Sequence, residues 1–303
     1  MIPITLITGF LGSGKTSLLK HITQTHGDRR LLFLVNDFPP KDVDGARLEL
    51  AGDLVTSIAG GSVFCRCKVN DFVEALRRIR KADPPPEGLV IEASGMANPK
   101  SMTRSLRENM LDQAFAHVRT VAVIDPMSFL RLWQTLPAVR AQVEAASTVL
   151  INKRDRSTPD ERVACEELVR SINPTAGIAH TEHARHELDL LADTTPPEAM
   201  EDYAACRDIN FFTAQATIPG PVDWNALRTA IDALGGGIYR AKGTVPLGDG
   251  ALVVDLSASG WDVRRAAQAV ATGDLALIGA GAQQDDLLEV AARIEAGRYA
   301  ASI

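Results

Sequence analysis

Short apolar runs alternating with amphipathic stretches across residues 1–190 predict a doubly wound α/β domain with a mainly parallel sheet. A smaller α+β domain is expected over residues 207–303, reached through a connector at 191–206. Three observations lead there. The strand candidates of the first part are apolar nearly throughout, as strands covered on both faces are. The stretches between them carry apolar residues at helical spacing. Near residue 191 the texture changes, and "LADTTPPEAMEDYAACRD" has a proline pair and little periodicity.

The elements follow in order. "ITLIT" is the first strand; it runs into a glycine-rich turn and then the helical "TSLLKHITQ". "RLLFLV" and "DLVTSI" are the next two strands. In "NDFVEALRRIRKAD", Phe72, Val73, Leu76 and Ile79 share one helical face and basic residues take the other. "GLVIEA", "RTVAVID" and "STVLIN" continue the sheet, and a further strand precedes "HTEHARH". Beyond the connector come strand "INFFTAQATI", helix "DWNALRTAIDAL", strands "GIYRAKGTVPL", "ALVVDLSA" and "DLALIG", and helix "QQDDLLEVAARIEAG". That β-α-β-β-β-α order suggests a ferredoxin-like domain.

Composition narrows the function classes. With 46% hydrophobic and 23% charged residues in 303, the chain is globular with ample core. A formal charge of −6 argues against an extended nucleic-acid surface, so no nucleic-acid partner is expected. No apolar run approaches the ~18 residues that span a bilayer, and no membrane association is expected. "MIPITLITGF" shows no basic segment or cleavage site. Four cysteines do not make a disulfide framework, and the reducing cytoplasm is the expected compartment.

"GFLGSGKT" matches G-x-x-x-x-G-K-[ST], the P-loop pattern, at Gly9, Gly14, Lys15 and Thr16, between a strand and a helix. Glycines there, with Gly12, Ser13 and Ser17 beside them, let backbone N–H groups close around phosphate oxygens at a helix N-terminus. Lys15 would neutralise β/γ-phosphate charge and the Thr16 hydroxyl would ligate Mg²⁺. In "LVIEASG", Glu92 at a strand's carboxyl end would hold Mg²⁺ or its water shell, and Gly95 would offer an N–H to the γ-phosphate. "INKRD" closes another strand with Asn152, Lys153 and Asp155 in the N-K-x-D arrangement. The Asp155 carboxylate can accept from N1–H and the 2-amino group of guanine, a donor pair that adenine lacks. GTP is therefore the expected nucleotide. An adenine-using kinase or ATPase, with N-K-x-D accidental, is the rival.

P-loop, "EASG" and "NKRD" in this order, with a smaller C-terminal domain, resemble the CobW-like GTPases, relatives of UreG, HypB and MeaB. The resemblance covers nearly the whole chain. "LVIEASGMANP" is similar to the family's E-x-S-G-x-x-x-P, with Pro99 in place, and "SINPTA" and "YRAKGTV" are also similar to family segments. It implies a P-loop GTPase domain with a CobW-type C-terminal domain. It also implies GTP hydrolysis coupled to delivery of zinc, cobalt or iron to a client metalloprotein or cofactor-assembly enzyme. The family's C-x-C-C appears here as "FCRC", where Cys65 and Cys67 remain while Phe64 and Arg66 depart from the pattern. "NDFP" stands for the family's "NEFG", with Asp37 in the acidic position. "VIDPMSF" lacks the family's histidine after that strand.

Thiolates one residue apart suit Zn²⁺, Cu(I) or Co²⁺ but leave a coordination shell incomplete, with Asp37 and His117 as conceivable completers. Arg66 favours the thiolate form. Metal hand-off, a structural pair and a redox sensor all stay open for Cys65 and Cys67. Cys165 and Cys206 read as structural or connector residues. His180, His183 and His186 read as a solvated loop, with metal binding as the alternative. Asp37 would orient the attacking water by resemblance, or ligate cargo, or occupy a plain turn. A metal-independent GTP switch docking on an enzyme during cofactor loading is the alternative function. Monomer and homodimer are both left open.

Overall fold

The computed structural model describes residues 1–37, 55–59, 62–66, 68–192, 194, 203 and 211–298, the side chains of 37, 55, 57 and 59 excepted. The chain divides into two compact units, Met1–Cys206 and Arg207–Ile303.

In the first unit, strands β1 (Ile2–Thr8), β2 (Leu31–Asp37), β3 (Val55–Ala59), β4 (Gly88–Glu92), β5 (Phe115–Ile124), β6 (Thr148–Ile151) and β7 (Gly177–His180) form one sheet. Its order is β3-β2-β4-β1-β5-β6-β7, and each recorded pairing is parallel. Helices fall on both faces: α1 (Lys15–Thr25), α2 (Val69–Ile79), α3 (Met102–Glu108), α4 (Pro126–Leu132), α5 (Pro137–Glu144) and α6 (Pro159–Ile172). Strand alternation divides the core between them. Ile4, Leu6, Leu89 and Ile91 face Phe72 and Leu76 of α2 and Met102 and Leu106 of α3. Ile7, Val90, Val121 and Val123 face Leu18, Leu19 and Ile22 of α1. This is the both-faces burial that makes the strands read as apolar throughout.

β5 starts four residues earlier than "RTVAVID" suggests, because polar His117 and Arg119 interrupt the apolar run while the ladder with β1 continues. The register slips between Ile4 and Thr5, so Ile4 pairs with His117 and Thr5 with Arg119. An extra residue on one strand is what a bulge provides.

The second unit is a five-stranded antiparallel sheet, order β11-β10-β9-β12-β8, from β8 (Phe211–Ile218), β9 (Ile238–Leu247), β10 (Gly250–Ser257), β11 (Gly260–Arg265) and β12 (Gly273–Ala280). Helices α7 (Trp224–Asp232) and α8 (Gln284–Glu295) cover one face through Leu227, Ile231, Leu287 and Ile294. β8 and β9 flank β12 as a split β-α-β unit, the ferredoxin-like element, extended by the β9–β10–β11 meander. The sequence pattern misses β11, since "GWDVRR" is mostly exposed and has no apolar alternation to detect. Among the described residues no helix is long and apolar enough to cross a membrane.

Candidate functional site

The functional motifs gather where parallel strands end, at the carboxyl edge of the first sheet, which is where open α/β sheets bind ligands. β1 runs into Gly9, and α1 begins at Lys15 without a side-chain cap. Its first N–H groups are therefore left for whatever lies at the N-terminus. Gly9 and Gly14 adopt φ of +140° and +114°, and neither tolerates a side chain: a Cβ at 9 would lie 2.1 Å from the Val123 carbonyl oxygen, and one at 14 would lie 2.3 Å from Asn152 Nδ2. Gly12 also has positive φ, at 72°. Lys15 is buried and its Nζ donates to the Phe10 carbonyl at 3.2 Å, curling the loop over the helix start. Ser17 points to solvent on the first turn.

β4 lies directly beside β1, pairing Ile7 with Glu92 although two other strands intervene in sequence. Thr16 Oγ1 donates to Glu92 Oε1 at 2.9 Å, so the hydroxyl and the buried carboxylate meet at one point. Both are hard oxygen donors of the kind Mg²⁺ takes. At the end of β1, in the P-loop and after β4, the buried hydroxyls of Thr8, Ser13 and Ser94 have no hydrogen-bond partner among the described residues. These donors and the glycine cradle fit a polyphosphate with its magnesium ion. Gly95 packs on the P-loop so closely that a Cβ there would be 2.8 Å from the Leu11 nitrogen. Pro99 is buried in the short turn that follows and Asn98 caps it.

The N-K-x-D loop is tied to this cradle by a residue that the motif assigns to the nucleotide. Asn152 Nδ2 donates to the Ser13 carbonyl at 2.8 Å. Its Oδ1 accepts from Thr181 Oγ1 at 3.0 Å and from the Ala184 N–H at 2.8 Å. Asn152 thus braces three segments. Lys153 takes a left-handed φ of 57° and its Nζ lies 3.0 Å from Asp125 Oδ2. Asp155 is exposed in the next turn, with Arg156 Nε 3.7 Å from its carboxylate. Thr181, Ala184 and Asp125 are structural members of the site that motif reading missed. "VID" at a strand's end and the polar loop "TEHA" give no local sign of these roles, and only the tertiary bonds reveal them.

The cysteine loop is compact where it is described. Phe64 is fully buried and meets Phe72 edge-on at 5.9 Å between ring centroids, and Cys65 is also buried. The Cys65 N–H donates to the Ser62 carbonyl, and its own carbonyl accepts from the N–H groups of Lys68 and Val69 at the start of α2. Arg66 is exposed. Cys67, the Asp37 side chain and Cys206 lie outside the described residues. His117 is not a ligand for this loop. It sits near the start of β5, at the sheet edge opposite the strand ends, with Nε2 2.8 Å from Thr120 Oγ1. Cys165 on α6 is buried, and burial, followed by the Asp125 and Glu166 carboxylates, pushes its thiol up to about 12, which makes it inert. His180 Nε2 lies 2.9 Å from Glu166 Oε2, and His183 has a left-handed φ of 54° on an exposed loop shared with His186. Among the described residues no three His, Cys, Asp or Glu side chains are placed to hold a metal ion.

Comparison with known proteins gives a consistent picture. Residues 3–180 match the family described as CobW/HypB/UreG, nucleotide-binding domain, and residues 213–293 match the cobalamin synthesis protein cobW C-terminal domain. The zinc chaperone YeiR of Escherichia coli is 33% identical over 196 residues, covering 61% of this chain and 57% of that protein. The zinc chaperone YjiA of the same organism is 29% identical over 200 residues, covering 64% of this chain and 61% of that one. The chain thus spans about three fifths of the length of these curated relatives. The crystal structure of Zn(II)-bound YjiA GTPase from E. coli is 20% identical, with 97% of this chain and 98% of that chain covered at a TM-score of 0.48.

Proposed function

This chain belongs to the CobW/HypB/UreG family, and from that premise we propose that it binds and hydrolyses GTP and delivers a transition metal, zinc first among zinc, cobalt and iron, to a client metalloprotein or cofactor-assembly enzyme in the cytoplasm. The observation that carries the nucleotide half is the bond from Asn152 Nδ2 to the Ser13 carbonyl, because it sets the N-K-x-D loop against the P-loop. The cargo half is supported by the similarity to the zinc chaperones YeiR and YjiA and by the pair Cys65 and Cys67.

Each residue has a definite task in that reading. Gly9, Gly12, Ser13 and Gly14 let the backbone close on the phosphates, and the start of α1 from Lys15 to Ser17 presents N–H groups and a favourable dipole. Lys15 neutralises charge on the transferred group. Thr16 and Glu92 hold magnesium, which when bound offsets the charge that develops on the phosphate oxygens. Gly95 donates its N–H to the γ-phosphate. Asp37 orients the attacking water. Asp155 selects guanine, whose two donors meet a carboxylate that adenine leaves unpaired.

Calorimetry with GTP and ATP tests the first half: a preference for GTP of at least about a hundredfold is expected, since a carboxylate that accepts from two donors of guanine meets neither on adenine. Zinc titration with a non-hydrolysable GTP analogue and with GDP tests the second. Affinity should differ between the two states, and Cys65→Ser with Cys67→Ser should abolish tight binding. Burial of Cys65 favours the metal-independent switch as second reading. That reading is chosen if the double variant still activates a client and zinc affinity is equal in both states.

A further inference from the structure

We propose that Asn36 is the positioning residue through which the state of the nucleotide reaches the cysteine loop; this rests on GTP occupying the P-loop as read above. Asn36 lies next to last in β2 and is 3% exposed. Its Nδ2 donates to the Ile58 carbonyl on β3 at 3.1 Å. Its Oδ1 accepts from the Val63 N–H at 3.0 Å and from the Ser94 N–H at 3.4 Å. Three backbone segments therefore meet at one side chain: strand β3, the loop carrying Cys65, and the segment that leaves Glu92. An uncharged amide suits this place, because it donates and accepts at once and brings no ionic desolvation cost.

The segment after Glu92 is held from its other side as well. Gln142 of α5 is 1% exposed, and its Nε2 donates to the carbonyls of Gly95 and Ala97 at 3.1 Å each. Between these two amides Ser94 and Gly95 lie against the P-loop, where no side chain fits at 95. A displacement of Gly95 on loss of the γ-phosphate is then resisted by Gln142 and transmitted to Asn36 through Ser94. The same oxygen holds Val63, so the pull continues into residues 62–66. That loop answers as a unit, since the Cys65 carbonyl caps α2 and Phe64 is locked in the core. Packed elements of this kind switch between arrangements rather than bending gradually.

Cys65 is 5% exposed, so its alkylation reports opening of the loop. The test is iodoacetamide labelling of Cys65 in the full chain, resolved by mass spectrometry, with magnesium and either a non-hydrolysable GTP analogue or GDP at saturation. The wild type should show rates differing by at least about fivefold, the lower end of allosteric coupling. Asn36→Ala should reduce that ratio below about twofold while GTP affinity stays within about threefold of wild type. Asn36→Leu fills nearly the same space without either hydrogen bond and should lower the ratio as far as the alanine variant does, a loss that a space-filling role does not predict. An unchanged ratio in Asn36→Ala overturns the proposal. A wild-type ratio near one with GTP bound also overturns it and leaves the GTPase reading standing, whereas no binding of GTP removes both. If the alanine variant does not fold, hydrogen exchange in the wild type decides: the Val63 and Ser94 amides should change protection together between the two nucleotide states, and independent changes overturn the link.

Discussion

The Lys153 ammonium lies 3.0 Å from the carboxylate of Asp125, 28 positions earlier in the chain. The same carboxylate accepts from the Met127 N–H and the Ser128 hydroxyl, so one buried acid caps α4 and anchors the N-K-x-D loop. With side-chain exposures of 15% for Lys153 and 3% for Asp125, the pair is nearly dry. Removing one partner of such a pair strands the other charge and costs about 3–5 kcal/mol. Asp125→Ala should therefore lower the free energy of urea unfolding by about 3 kcal/mol or more, the lost cap included. Lys153→Met should cost less, because Asp125 keeps two other donors. A double-mutant cycle should return a coupling of about 1–3 kcal/mol.

Glu92→Gln preserves size and the bond from Thr16 but removes the charge beside it. Phosphate release at saturating GTP and magnesium should fall by about a hundredfold or more, since charge stabilisation is the main catalytic contribution in phosphoryl transfer. Affinity for GTP measured in EDTA should stay within about threefold, because the backbone cradle and Lys15 are intact. Loss of affinity without metal would assign Glu92 a structural task instead.

These two acids show what a linear reading can and cannot reach. Glu92, Lys15, Thr16 and Asp155 sit in contiguous patterns whose spacing follows from a strand turning into a helix or loop, and chemistry demands those residue types there. Asp125, Gln142, Thr181 and Ala184 act on partners dozens of positions away, so no local pattern gives their roles, and although Asn36 opens "NDFP", its bonds to Val63 and Ser94 are visible only in the fold. The same limit explains His117. A half-shell of two thiols invites a third ligand, yet strand direction carries His117 to the opposite sheet edge. Fold was legible for a related reason: strands buried on both faces announce themselves by apolar runs, whereas exposed "GWDVRR" is held only by its ladder to β10.

In the proposed GTPase reading Asp155 would carry base choice, and its carboxylate is exposed in the protein. Asp155→Asn replaces one acceptor oxygen with a donor facing the donors of guanine. GTP affinity should drop by about a hundredfold in calorimetry while ATP affinity changes less than about threefold. Equal losses for both nucleotides would mean that the turn at 154–156 had collapsed, and equal retention would return N-K-x-D to coincidence.

His117 makes stability depend on acid. Burial pushes its imidazole down to about 4, against a backbone hydrogen bond with Arg119 that acts upward. In the unfolded chain a histidine takes up its proton near 6.5. Between these values the unfolded state binds a proton that the folded state refuses, so the contribution is fully present above about pH 6.5 and disappears as pH falls toward 4. One group with this difference accounts for at most about 3 kcal/mol. His117→Gln can still bond Thr120 but does not titrate in this range. Urea midpoints of the wild type should therefore fall more steeply than those of the variant between pH 6.5 and 4.5, with parallel behaviour above pH 7. Parallel curves across the whole range would mean that the ring is hydrated and protonates freely in the folded protein.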